Sequence, residues 1–158
     1  MEEIEVLNEG LYYTTVDGFA LWISKGQAGI LTSDIPNNVE INNDKIKTAL
    51  FAAETLVDSY LNTGNYIVPV PAESKRSIYL LRIICYSIAA YELYSSKGVN
   101  TEQYYKHKAT LLQLEKIALG SILLVDAIQS TDLLVSGAVL PTDYIQDEVG
   151  EYGSRMNI

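Results

Sequence analysis

The stretch TLVDSYLNTGNYIVPVP, residues 55–71, joins two kinds of chain. Its first half has helical spacing. It then passes through Asn-Thr-Gly-Asn into a short apolar run that carries Pro69 and Pro71. Each proline lacks a donor N–H and pushes the residue before it toward extended geometry. The expected arrangement is a helix, a stiff strap and a second helix whose angle to the first is set by that strap. Nothing in the stretch has the look of a catalyst.

Working outward, the helix upstream is NDKIKTALFAAETLVDSYLN. Its Ile46, Leu50, Ala53, Val57 and Leu61 fall at steps of 4, 3, 4 and 4, one apolar helical face. Asn43 suits an N-cap and Gly64 a C-terminal stop. Downstream, residues 73–96 read ESKRSIYLLRIICYSIAAYELYSS, apolar nearly all round and interrupted mainly by Arg82, Ser87 and Glu92. A helix of that kind is central and covered on several sides. Lys97-Gly98 closes it. The next helix opens on Asn100 and Gln103, a capping-box spacing, and ends at Gly120. Tyr104, His107, Leu111, Leu114 and Ala118 line one of its faces.

The flanks are less regular. Residues 1–12 are acidic and alternate weakly, as an extended arm or a short edge strand would. YTTVDGFALWISKG predicts a helix capped by Thr15, with Asp17 in its first turn and Gly26 as its stop. Gly18 weakens it by about 1 kcal/mol relative to alanine. Residues 27–42 read as loop. From residue 121 the apolar clusters are short and broken by Ser, Thr, Gly and Pro, which suits short strands or an extended arm. The predicted fold is therefore mainly α: a small bundle of about four helices, with an N-terminal arm (1–12), a helical core (13–124) and a C-terminal arm (125–158).

Composition narrows the function. The 158 residues suffice for one core, and the net charge of −9 opposes a DNA-gripping surface, which needs clustered Lys and Arg. One Cys and one His make a structural zinc site and an internal disulfide poor readings. The N-terminus lacks the basic region of a signal peptide, and no apolar run reaches the roughly 18 residues of a membrane span. The expected location of synthesis is the cytoplasm. Twelve tyrosines against two phenylalanines suit partly buried faces and interfaces.

The search for chemistry finds no phosphate-binding loop, dinucleotide fingerprint or GxSxG elbow. His107 lies on an apolar stripe among lysines, where packing is the better reading. Cys85, within RIICYSI, reads as a small buried hydrophobe. Glu54 and Asp58 are four apart on one face. Such a pair could bind a cation or act as acid and base, but a solvated face or an ion pair with a neighbouring helix is simpler. Arg82, isolated in an apolar helix, is the expected partner, so an Asp58–Arg82 ion pair bridging the two helices is predicted. No catalytic residue, metal site or cofactor is expected. Leu133, Leu134, Val135, Tyr144 and Ile145 are candidate interface anchors, or else pack back on their own subunit.

The run from Tyr13 to about Leu124 resembles the Mu-like phage head-tail connector (head-tail adaptor) family. The resemblance lies in the order and spacing of YTTVDGF, ALFAAETLVDSYL, YIVPVP, LLRIICYSIAAYELY and TEQYYKHKATLLQLEKIALG. The acidic N-terminal arm, Gly18 and the tail after residue 125 depart from the family pattern. The resemblance implies a small helical subunit that forms a ring, commonly twelvefold, beneath the portal of a phage head. Such a ring extends the DNA channel and offers a docking surface to the next neck or tail protein. It implies no catalytic residues, and a place at the head-tail junction of the virion after assembly in the host cytoplasm. Genomic DNA would pass through without specific binding. Twelve copies would carry about −108 (12 × −9), a field that discourages sticking. Alternatives are a stopper or tail-completion protein of the same neck, or a small helical binding module unrelated to virions.

Overall fold

The computed structural model describes residues 7–130. They form five helices: α1 (Val16–Ile23), α2 (Lys25–Thr32), α3 (Asn43–Thr63), α4 (Lys75–Ser95) and α5 (Thr101–Ala118). The described residues contain no strand. The C-terminal arm expected to carry short strands lies, from residue 131 on, outside them.

Helices α3 and α4 pack most extensively against each other, and α5 closes over both. The predicted face of α3 is the core: Ile46, Leu50, Ala53, Val57 and Leu61 are all buried. They meet Leu81, Ile84, Cys85, Ile88 and Ala89 of α4, and Leu114 and Ile117 of α5, in one buried cluster. Each buried Val, Leu or Ile of this cluster contributes about 1.5–3 kcal/mol by leaving water, so this three-helix contact dominates the fold. The short α1 and α2 cover it, with Phe19 set edge-on to Tyr86 at a centroid distance of 5.7 Å.

Two sequence expectations fail at the start of the chain. A single helix ending at Gly26 is instead two helices, and the second runs through residues 27–32, read as loop. The break is at Ser24, whose φ of 81° and ψ of 142° no α-helix accommodates. Its hydroxyl accepts from Gln27 N at 3.3 Å and so caps α2. Gly26 lies inside the first turn of α2 rather than at a stop. The α3 cap is also one residue earlier than expected: Asn42 Oδ1 accepts from Lys45 N at 3.3 Å. Gly64 does end α3, and the Asn100/Gln103 capping box is present in full.

The start of α4 is capped from a distance. Ser74 sits at its N-cap but makes no side-chain capping bond. Its hydroxyl donates to the backbone oxygen of Asp126 at 2.7 Å. The Asp126 carboxylate then accepts from Arg76 N at 3.0 Å and Ser77 N at 2.9 Å, and from the Ser77 hydroxyl. A carboxylate at a helix N-terminus satisfies orphan donors and complements the macrodipole. Ile67 N donates to Ile128 O at 2.9 Å nearby. Residues 125–128, assigned to the arm on sequence, are thus bonded to the helical core.

The Ser77 hydroxyl, with the backbone donors behind it, holds the Asp126 carboxyl below its ordinary value of 3.8. A depressed carboxylate contributes stability that is present above the ordinary value and lost as pH falls through the folded one. Asp126→Asn is therefore expected to lower the melting temperature at pH 7. The gap to the parent should close as pH falls below about 4, which thermal melts across pH 2–7 would read. A gap independent of pH would mean that the carboxylate charge plays no part in the cap.

Candidate functional site

The junction that orders this fold is built on Tyr13. The residue is 1% exposed and precedes α1. Its backbone N–H donates to Glu54 Oε1 at 2.9 Å, and its carbonyl accepts from Arg82 Nε at 2.7 Å. Its hydroxyl donates to Asp58 Oδ1 and accepts from Val70 N at 3.0 Å. One residue therefore ties together the segment leading into α1, helices α3 and α4, and the Pro69/Pro71 strap.

Glu54 is the second element. It is 3% exposed and projects from α3 beneath residues 12–14. Oε2 accepts from Tyr12 N at 2.8 Å. Oε1 accepts from Thr14 N at 2.8 Å and Thr14 Oγ1 at 2.6 Å, in addition to Tyr13 N. A buried carboxylate is tolerable only when donors surround it. Here three of the four donors are backbone N–H groups of a segment with no helix of its own to satisfy them, and the fourth is the Thr14 hydroxyl. The carboxylate thus substitutes for a hydrogen-bonded secondary structure.

The predicted Asp58–Arg82 ion pair is not formed. Both side chains reach Tyr13 instead, Asp58 at the hydroxyl and Arg82 at the carbonyl, so the tyrosine occupies the place between α3 and α4 that the pair was expected to fill. Among the described residues the ion pairs are Lys45–Asp34 and Lys106–Glu102, both on exposed side chains. The predicted link between the two helices exists, but a phenol and a peptide carry it. Helical periodicity flags an acid opposite an arginine and cannot show a third residue entering between them.

Burial raises the Asp58 carboxyl above its ordinary 3.8. The Tyr13 hydrogen bond opposes that rise and the nearby Glu54 charge adds to it. Burial also pushes the Tyr13 phenol well above its ordinary value, helped by its bond to Asp58. The phenol therefore stays protonated and donates. A raised carboxylate costs stability as pH climbs from 3.8 through the folded value. Asp58→Asn keeps an oxygen for the phenol and removes that charge. It should hold stability within about 0.5 kcal/mol at pH 7, and flatten the pH dependence just above pH 4. A loss of about 3 kcal/mol in a denaturant titration would instead mark a broken charge pair.

The strap lies where expected. Pro69 and Pro71 flank Val70, which is buried and bonded to Tyr13, and the Val68–Pro69 peptide is cis. His107 stacks flat on Tyr91, ring centroids 3.8 Å apart, beside an open groove of about 370 Å³ that Trp22 and Tyr94 help line. Burial holds its imidazole below the usual value. Cys85 is fully buried, and burial raises its thiol well above the usual value. Leu133, Leu134, Val135, Tyr144 and Ile145 lie outside the described residues. Among the described residues no cluster of three or more His, Cys, Asp or Glu could hold a metal, and no helix is long and apolar enough to cross a membrane.

Tyr13 and Glu54 escaped the sequence reading as a joined site, although a signal was present. Glu54 falls four residues after Leu50 and three before Val57, within the apolar stripe of α3. An acid at that register is buried, and a buried acid needs donors.

No curated protein matches the chain. The family described as Bacteriophage Mu, Gp36 matches it over residues 13–138, well over half its length and starting at Tyr13 itself. The chain belongs to the bacteriophage Mu Gp36 family and is a phage structural or morphogenesis protein.

Proposed function

We propose that this protein is a non-enzymatic head-tail connector, whose copies assemble into a ring between the portal and the tail and leave a channel for DNA. The observation that carries the reading is a set of large apolar side chains left outside the buried core. Leu21, Trp22 and Ile30 on α1 and α2, and Tyr105, Leu112 and Leu119 on or just after α5, are all exposed. Isolated surface apolar residues need no explanation, but sets on separate helices suit a head-to-tail contact, in which one surface meets a different one on the next copy. Family membership supports the reading, as does a net charge of −9 that favours passage of DNA over its capture.

A ring requires the angle between its building elements to be fixed. The Tyr13 hub and the strap supply that, because Pro69 and Pro71 leave little backbone freedom between α3 and α4. Pro69→Gly/Pro71→Gly is expected to impair assembly more than it lowers helicity. The comparison is particle mass by light scattering against the helical circular-dichroism signal. Unchanged assembly would remove the strap from the mechanism. For the parent chain, light scattering should report a particle many times the mass of one chain, alone or once portal is added. A chain that stays monomeric under both conditions would favour a binding module instead.

A further inference from the structure

Helix α5 and its first following residue carry a stripe that the core does not use. Tyr105, Leu112 and Leu119 recur every seven residues and are 61%, 50% and 74% exposed. Lys108 and Lys116 lie between them, so the five follow at steps of 3, 4, 4 and 3 along one side of the helix. Lys106, off this line, pairs with Glu102 at 2.6 Å. Among the described residues neither Lys108 nor Lys116 has a carboxylate partner. An apolar line with two open cations stands out on a chain of net charge −9.

We propose that this stripe receives residues 131–158 of a second copy of the chain. The segment has the complementary chemistry. It carries five acidic side chains against Arg155, a net −4 (−5 + 1), and its apolar groups sit beside acids: Leu133-Leu134-Val135 after Asp132, and Tyr144-Ile145 between Asp143 and Asp147. Apolar anchors spaced by lysines on one partner meet apolar anchors spaced by carboxylates on the other. Such pairing gives specificity and register as well as attraction. The length is ample. A segment of 28 residues (131 to 158) can span up to roughly 90 Å when extended, against about 27 Å for an 18-residue helix. The neighbour in a ring is therefore within reach. The proposal rests on the ring reading and adds to it the face on which one copy holds the next.

The test uses the full-length chain prepared in ordinary and heavy-nitrogen form. The two are mixed in equal amounts below the assembly concentration and then concentrated. A carbodiimide next couples lysine amines to carboxylates in direct contact, and mass spectrometry reads the joined peptides. The expected result is Lys108 or Lys116 joined to Asp132, Asp143, Asp147, Glu148 or Glu151, with light–heavy pairs present. The exposed double variant Lys108→Glu/Lys116→Glu should lose these crosslinks and need about tenfold more protein to assemble. Rings whose crosslinks are all same-chain, fall on carboxylates outside residues 131–158 or are missing would overturn the contact between this segment and the stripe and leave the ring standing. A chain that remains monomeric would contradict both.

Discussion

Replacement of Glu54 by alanine is expected to lower the unfolding free energy by about 3–6 kcal/mol. The figure follows from what the carboxylate holds. Tyr13 N, Thr14 N and Thr14 Oγ1 all donate to Oε1 in a buried setting, and each buried donor left without a partner costs about 1–3 kcal/mol. Water entering the vacated space would recover part of that. Glu54→Gln should be milder, because one oxygen can keep the Oε1 role while the amide nitrogen meets the Tyr12 N–H as donor against donor. The loss should also be local in origin. Amide exchange should quicken first over residues 12–14 and at Val70, which hangs on the Tyr13 hydroxyl, before the α3–α4 core opens. Urea titration and exchange mass spectrometry check both parts. An alanine variant within about 0.5 kcal/mol of the parent would show that the carboxylate is not what holds the segment.

The second large effect is expected at Gly29, in the middle of α2. A Cβ built there would stand 2.0 Å from the carbonyl oxygen of Val39 and 2.5 Å from its carbon. Both atoms are backbone, so no side-chain rotation relieves the clash. The loop after α2 would have to move away, and Asn42 moves with it. That residue caps α3 and donates its N–H to Thr32 Oγ1 at 2.9 Å. Gly29→Ala should therefore cost about 3 kcal/mol, at the upper end for overpacking. Gly26→Ala, with nothing within 4 Å of its Cβ, should be neutral or stabilising by up to about 1 kcal/mol. Paired thermal melts separate the two. Equal effects at both positions would mean that helix propensity, not the approach of Val39, governs this helix.

These two sites mark where sequence reading runs out. The face of α3 was legible because periodicity is a local property: residues three and four apart must share a side, and an apolar side must be covered. The capping box at Asn100 and the stop at Gly64 were legible for the same reason. Ser24 was not, because its φ of 81° is one that its residue type only weakly tolerates and that no local pattern signals. The bonds of Glu54 to residues 12–14 span 40 to 42 positions, and Asp126 caps a helix 49 to 50 positions earlier. No local pattern encodes such distances. The sequence signals only that an acid lies on an apolar stripe, or that a helix starts without a cap of its own. The Asp58–Arg82 expectation failed in the same way: it found the right two helices and could not foresee Tyr13 between them.

The central claim is that this fold is one copy of a ring seated on a portal. The most direct measurement is negative-stain imaging of the purified full-length protein mixed with the portal protein of the same genome. The account predicts closed rings capping one end of the portal, with an open channel continuous through both. Portal particles left bare beside single copies of the chain would contradict it.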